Sequence, residues 1–400
     1  MPTPIPSILV LNGGSSSIRF ALVHANPALT PVCSGMLNRI GHDDAHLAVD
    51  GASTTQPISA PGELGAVHSL AQWLQQRGDA GGLVAAGHRV VHGMTHFDPE
   101  RVTPELLADL KRIEPVDPDH LPLELRLIAA VTSVLPGLPQ VACFDTQFHR
   151  HLPRVAAQLP IPRRFEAQGL RRYGFHGLSY DYLLHELERV AGARVARGRV
   201  IFAHLGGGAS LAAVRDGRCV DTTMSFTPTA GLVMGTRSGD LDPSLAPYLA
   251  RTAGMSSARF LKMVNHESGL LGVSETSADM RVLLEAEAHD PRAAEAVALF
   301  CYQVRKAIGS FAAALGGLDT LVFSGGIGEN APDIRARICD GLRFLGVQID
   351  GALDADARGL ISSPTDRVAV HVIPTNEAHV IARSVRDLLE LDASGQESSR

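Results

Sequence analysis

Ile8-Leu9-Val10-Leu11 runs directly into Asn12-Gly13-Gly14-Ser15-Ser16-Ser17. The apolar run reads as a buried strand. Glycines let the backbone after it turn sharply and bring N–H groups close to a ligand. Two further stretches repeat the pattern. Val200-Ile201-Phe202-Ala203-His204-Leu205 leads into Gly206-Gly207-Gly208-Ala209-Ser210, and Leu321-Val322-Phe323 leads into a glycine-rich loop, Ser324-Gly325-Gly326-Ile327-Gly328-Glu329-Asn330. A row of N–H groups at a strand end is a ready phosphate cradle. Three such junctions, with hydroxyl and amide partners, point to one polyphosphate held from several sides.

The neighbourhoods of the first two junctions match. Ile8 to Val23 reads as strand, loop, strand. Val200 to Thr223 reads as strand, loop, strand Leu211 to Val214, an Asp216-Gly217 hairpin turn and a third strand near Cys219-Val220. Helical patterns cover Leu64 to Gln76, Pro104 to Ile113, Leu123 to Leu135, Tyr180 to Val190, Arg292 to Leu315 and Ala378 to Leu391. Short strands fall near Ala85 to Val91, Gln140 to Phe144 and Val368 to Ile373. Gly351 to Asp366 reads as a loop-rich or short-helix connection and Asp392 to Arg400 as a frayed tail. The alternation predicts an α/β protein of two related domains facing each other across a cleft.

Composition narrows the function classes. The chain of 400 residues is 45% hydrophobic and 20% charged, which suits a large folded core. A net charge of -6, with both signs dispersed, argues against a nucleic-acid partner. No apolar run approaches the roughly 20 residues of a membrane span. The opening Met1-Pro2-Thr3-Pro4-Ile5-Pro6 lacks the parts of a signal peptide. Cys33, Cys143, Cys219, Cys301 and Cys339 are scattered and form no C-x-x-C pair, as expected of reduced thiols in a cytoplasm.

Several polar clusters compete with structural explanations. Gly87-His88-Arg89-Val90-Val91-His92-Gly93 ends a strand with one cation and two imidazoles, either a surface arginine with core histidines or a site. Asp145, in Phe144-Asp145-Thr146-Gln147-Phe148-His149, follows a strand where α/β sheets place ligand-facing groups, and it equally suits a helix N-cap. Arg171-Arg172-Tyr173-Gly174-Phe175-His176-Gly177 is a solvated basic turn or a binding loop. Gly235-Thr236-Arg237-Ser238-Gly239-Asp240 sets an arginine among glycines, a mixture that a purely structural loop seldom needs. Glu377, after Pro374-Thr375-Asn376, suits the dipole of the last helix or an Mg²⁺ ion. Together these are the parts of a phosphoryl-transfer site. The P-loop G-x-x-x-x-G-K-[ST] and the protein-kinase set are both absent.

Taken in order, these motifs resemble the acetate kinase (acetokinase) family of the actin-like ATPase superfamily, from about Ile8 to Leu391. The resemblance implies two ribonuclease-H-like (actin-like ATPase) domains flanking an active-site cleft. The first would span 1–149 and be completed by 378–400. The second, 150–377, would bind nucleotide and carry the contact of a homodimer. The implied reaction is reversible transfer of the ATP γ-phosphoryl group to acetate, with Mg²⁺ or Mn²⁺. Kinases for propionate or butyrate, and a weakly catalytic nucleotide sensor, are the alternatives.

The resemblance also implies roles for individual residues. Asp145, His176 and Arg237 fall at catalytic positions, and Asn12 and Glu377 at metal-associated ones. Arg89, Val91, Phe175 and Pro228 fall around the carboxylate substrate. Ser15, Ser17, Arg19, His204, Leu205, Gly206, Gly207, Gly208, Asp279, Met280, Arg281, Gly326, Ile327, Gly328, Glu329 and Asn330 fall around the nucleotide. Four positions depart from the family pattern. Arg19 replaces a lysine, Gly207 an asparagine, Asp119 a leucine of the acetate methyl pocket, and Leu121 an asparagine.

Overall fold

The first strand pairs on both sides, and that pairing organises the N-terminal unit. The computed structural model describes residues 5–14, 16–354 and 359–391. Strand β1 (Ser7–Gly13) runs antiparallel to β2 (Ser17–His24) and parallel to β6 (Leu83–Val90), which is parallel to β8 (Gln140–Phe144). The meander β3 (Pro31–Asn38), β4 (His46–Val49) and β5 (Thr55–Pro57) extends one edge, and β7 (Glu100–Arg101) closes the other. The eight-stranded order is β5-β4-β3-β2-β1-β6-β8-β7.

The second sheet repeats this plan with six strands. Its members are β9 (Val200–Leu205), β10 (Ala209–Arg215), β11 (Arg218–Thr222), β12 (Thr320–Ser324), β13 (Gly359–Leu360) and β14 (Ala369–Val372), in the order β11-β10-β9-β12-β14-β13. In both sheets the first strand has antiparallel partners on one side and two parallel strands on the other. This shared order is that of ribonuclease-H-like, actin-like ATPase domains. The chain divides accordingly into Met1–Gln147 with Asn376–Arg400, and Phe148–Thr375. Glu377, expected at the end of the second domain, lies in the first unit, because it begins the helix Glu377–Leu389 that packs on the first sheet.

Period-two alternation decides what each face of the first sheet does. Leu9, Leu11, Ile18, Phe20 and Leu22 pack under the helices Glu63–Arg77 and Leu121–Val134. The opposite face receives Val380, Ile381 and Val385 of the helix Glu377–Leu389. Gly87 permits that approach, since a Cβ there would stand 2.5 Å from Ile381 Cγ2 and 2.7 Å from Val385 Cγ2. In the second unit Phe202, Val214 and Val322 pack with Tyr180, Leu183 and Leu187 of the helix Gly177–Ala191.

The six helices expected from periodicity form with ends shifted by at most three residues. The third glycine run departs from expectation. Gly325–Asn330 is a short helix rather than an open loop, because Glu329 Oε1 accepts the Gly325 N–H at 2.8 Å and Asn330 Nδ2 donates to the Gly326 carbonyl at 2.9 Å. Gly351–Asp354 is a short helix, while the expected tail 392–400 lies outside the described residues.

Gly87→Val should therefore lift the C-terminal helix from the sheet. Overpacking of this kind costs about 1–3 kcal/mol, read as a lower urea midpoint, with Gly87→Ala falling between Gly87→Val and the parent. An unchanged midpoint in Gly87→Val would mean that the helix does not depend on this contact.

Candidate active site

The strand register of the first unit places its polar residues on one face. Val10 pairs with Gly87, the residue under the C-terminal helix, so Asn12 and Arg89, two residues further on, share that face at the strand ends. Arg19 lies opposite Asn12, and Cys143 lies opposite Arg89. Asp145 continues the alternation. Its N–H donates to the Val90 carbonyl at 2.9 Å. Arg89 Nη2 meets Asp145 Oδ2 at 2.8 Å, with the Asp145 side chain fully buried. Asp145 is thus the partner of an arginine, and the N-cap alternative falls away.

Burial opposes the charge on Arg89. The carboxylates of Asp145, Glu377 and Glu124 overcome that penalty and hold the guanidinium firmly protonated. Its buried Nε has no hydrogen-bond partner among the described residues. A cation that is neutralised on one nitrogen and has a buried N–H to spare suits a second anion with an oxygen to place there. On the same face Asn12 Nδ2 donates to Glu377 Oε2 at 3.3 Å. The two histidines flanking Arg89 are structural. His88 Nε2 contacts Gln140 Oε1 at 2.7 Å, and burial lowers its pKa to about 4; His92 Nδ1 accepts the Met94 N–H.

The second unit builds its own constellation around Ser210. This residue lies opposite His204 in the β9–β10 pair, and its Oγ contacts His176 Nδ1 at 2.8 Å and the Tyr180 hydroxyl. His176 opens the helix Gly177–Ala191 with φ 57° and ψ 26°, a left-handed conformation uncommon outside glycine. Its ring lies 4.5 Å from that of His204, centroid to centroid. The turn before it is not a solvated basic turn. Arg172 Nη1 donates to the carbonyls of Thr222, Thr223 and Met224, and Tyr173, Phe175 and His176 are buried.

Arg237 is held by a stitched loop. Its Nη1 donates to the Pro228 carbonyl at 2.9 Å, Met234 N–H to the Arg237 carbonyl, and Gly235 N–H to the Gly207 carbonyl. A Cβ on Gly208 would stand 3.3 Å from both Arg237 Nη2 and His176 Nε2. The two donors therefore converge on the backbone of the second glycine run. Pro228 supports Arg237 through its carbonyl, and Phe175 accepts from His149 Nε2 through its own.

A cleft of about 520 Å³ opens beside these glycines. Gly206, Gly207, Asp279, Met280, Arg281, Gly326, Ile327 and Asn330 line it, together with Ala278 and Ala331. The remaining residues expected at the nucleotide shape its wall. Leu205 and Gly328 are buried behind it, and Glu329 ties Gly325 to Thr375. Asp279 caps the helix Met280–Ala286 by accepting the Arg281 N–H. Gly207 faces open space, so the asparagine usual at this position would fit. Ser17 and Arg19 belong to the first unit, Arg19 exposed, and Ser15 lies outside the described residues.

Two buried charges escaped the sequence reading. Arg335, with no exposed surface, pairs with Asp354 at 2.7 Å and donates to the Gly328 carbonyl at 2.8 Å and the Glu329 carbonyl at 3.1 Å. It fixes the end of the Gly325–Asn330 helix. Glu124 takes the Val91 N–H on both oxygens at 3.1 Å. No residue pattern distinguishes such groups from solvated charges. Beside Glu124, His120 Nδ1 bonds Asp117 at 2.8 Å.

Comparison with known proteins places this geometry in context. The model of the acetokinase family matches residues 7–383. An acetate kinase of Rhodopseudomonas palustris is 45% identical over 94% of this chain and 97% of its own. A propionate kinase of Citrobacter rodentium is 42% identical over 94% of this chain and 96% of its own. The crystal structure of the Porphyromonas gingivalis acetate kinase superposes with a TM-score of 0.87 at 34% identity, covering 96% of this chain and 100% of its own.

Arg89→Ala removes the guanidinium that pairs with the fully buried Asp145 carboxylate. Removing one partner of a buried pair costs about 3–5 kcal/mol, and Arg89→Ala/Asp145→Ala should recover part of that loss in urea unfolding. A midpoint unmoved by Arg89→Ala alone would show that the pair does not hold this strand end.

Proposed function

The chain belongs to the acetokinase family, and from that premise we infer that it transfers the γ-phosphoryl group of ATP reversibly to acetate, giving acetyl phosphate and ADP. The observation that carries this reading is Arg89: a part-buried guanidinium paired on Nη2 with Asp145, its buried Nε still lacking a partner among the described residues. The glycine-lined cleft, with His176 and Arg237 converging beside it, supports the nucleotide half.

Charge determines the mechanism. Acetate ionises in the carboxyl range, so it is an anion at neutral pH and needs no strong base. The difficulty is to bring two anions within reacting distance, about 3–3.5 Å. Arg89 holds the carboxylate. Val91, two residues beyond Arg89, supplies apolar surface for its methyl group. Asp145 orients Arg89, a role that its ion pair supports better than that of proton acceptor. His176 and Arg237 donate to the equatorial oxygens of the phosphoryl group as charge shifts through a loose transition state. Ser210 fixes the imidazole and the Pro228 carbonyl fixes the guanidinium, so neither donor must reorganise.

A divalent cation fits beside Asn12 and Glu377. Hard cations take oxygen ligands, and Mg²⁺ keeps several sites for phosphates and water. The amide–carboxylate pair, 3.3 Å apart on a strand-end face, is a partial ligand set of that kind. Among the described residues no group of three or more His, Cys, Asp or Glu gathers as an all-protein cage. Bound there, Mg²⁺ or Mn²⁺ would neutralise phosphate charge.

Propionate is the second reading, supported by relatives of that name at similar identity and by Asp119 where the family has a leucine. Exposed Leu241, Leu245 and Tyr248 of the second unit support a homodimer contact there. No described helix is long and apolar enough to cross a membrane, and all five cysteines are free thiols, which supports a cytoplasmic setting.

Trapping of acyl phosphate by hydroxylamine tests the reaction. With ATP and Mg²⁺, acetate should give acetyl hydroxamate with a higher kcat/KM than propionate or butyrate. ADP release with no hydroxamate from any carboxylate would overturn the assignment. Arg237→Ala should lower kcat by about a thousandfold with little change in the KM for ATP. A variant retaining half of the parent kcat would remove Arg237 from the phosphoryl site. Glu377→Ala should require far more Mg²⁺ for half-maximal rate, and a normal magnesium titration would reduce Glu377 to a helix-start charge.

A further inference from the structure

Val91 follows the last residue of β6, two positions beyond Arg89. Its N–H donates to Glu124 of the helix Leu121–Val134, both oxygens standing 3.1 Å away. Glu124 is 2% exposed. A carboxylate so deeply placed is costly unless it is compensated, and among the described residues both of its oxygens accept from a single backbone N–H. The charged groups that face it are Arg89 from β6, and Asp117 and His120 from the turn before its own helix. Asp117 Oδ1 is engaged by His120 Nδ1 at 2.8 Å. Arg89 in turn feels three carboxylates: Asp145, Glu377 and Glu124.

Resting on the carboxylate kinase reading above, we propose that Glu124 is a positioning residue for the acyl substrate: it anchors the Arg89–Val91 strand end and sets how strongly Arg89 attracts the incoming anion. The two effects have different origins. Anchoring needs only an acceptor for the Val91 N–H, which a carboxylate, a carboxylic acid or an amide supplies. Attraction depends on charge. An ionised Glu124 offsets part of the field of Arg89, and a neutral one leaves it to the substrate.

Burial raises the pKa of Glu124 to about 7, against the opposing pull of Arg89. Below that value the group is neutral and carboxylate binding is favoured. Above it the group is an anion, and the substrate must displace that charge or repel it. Binding of the substrate anion raises the Glu124 pKa further, so binding takes up a proton. The substrate is ionised throughout this range and contributes no step of its own.

The test is the KM for acetate from pH 6 to 8.5, followed by release of ADP, in the parent, Glu124→Gln, Glu124→Ala and His120→Gln. The parent KM for acetate should rise about fivefold across this range, the scale of one charge–charge interaction in a partly screened site. Glu124→Gln should be flat at the low-pH value, because its amide still accepts the Val91 N–H. Glu124→Ala should have a raised acetate KM at every pH, and His120→Gln should keep the pH step. The KM for ATP should follow the same pH curve in all four proteins. A parental pH step in Glu124→Gln would overturn the inference, as would a step lost in His120→Gln but kept in Glu124→Gln. Glu124→Ala with parental acetate KM would overturn the anchoring role. If the parent makes no acyl phosphate at all, the carboxylate kinase reading fails instead.

Discussion

The ion pair between Arg89 and Asp145, 2.8 Å long and closed to solvent on the carboxylate side, is the constraint on which the first unit depends. It joins the C-terminal ends of β6 and β8, two parallel strands held together elsewhere by backbone hydrogen bonds and by the His88–Gln140 contact. It also fixes which face of the sheet is chemical. Because strand side chains alternate, placing Arg89 on the face of the C-terminal helix carries Asn12, Arg19 and Asp145 to that face as well. The helix contributes Glu377 from its first turn. One register thus gathers two cations, two carboxylates and an amide from segments far apart in sequence.

The second unit uses the same sheet plan under a different constraint. There the backbone must come close to a ligand, and glycine is the device. Gly208 leaves the space in which Arg237 and His176 converge, and Gly325 takes φ 77° where a Cβ would stand 2.7 Å from the Leu205 carbonyl. The side chains around this backbone are already committed. Ser210 holds His176, the Pro228 carbonyl holds Arg237, and Arg335 with Asp354 holds the Gly325–Asn330 helix. Donors fixed in advance are what a phosphoryl transfer needs, since little bond-making chemistry is left to the protein. The left-handed His176 is consistent with that economy: an unfavourable backbone state is tolerated where it aims a donor.

How much of this was legible in the sequence follows from the physics of each feature. The three strand–glycine junctions, the Asp216-Gly217 hairpin and the long helices are local, and local patterns announced them. The meander β3–β5 was missed. Pro31-Val32-Cys33-Ser34-Gly35-Met36-Leu37-Asn38 alternates weakly, and it is a strand because β2 offers it a partner. Gly35 in it is required by neighbours, with a Cβ falling 2.3 Å from the Ala48 carbonyl, a contact that no local window contains. The third glycine run looked like the first two. It is helical because Glu329 and Asn330 turn back on its own backbone. Site positions were readable where motif and resemblance agreed, as at Arg89 and Arg237. Buried charges such as Glu124 and Arg335 were not, because only distance and burial separate them from solvated ones.

The central claim is that a carboxylate oxygen attacks the γ-phosphorus of ATP. Acetate labelled in both oxygens with ¹⁸O tests it most directly. The enzyme, ATP and Mg²⁺ are incubated with labelled acetate and hydroxylamine, which releases phosphate by attack at the acyl carbon. The released phosphate is then read by ³¹P NMR. The account predicts phosphate carrying one ¹⁸O, the oxygen that bridged carbon and phosphorus. Phosphate without label would mean that water, not the carboxylate, takes the phosphoryl group, and would contradict the account.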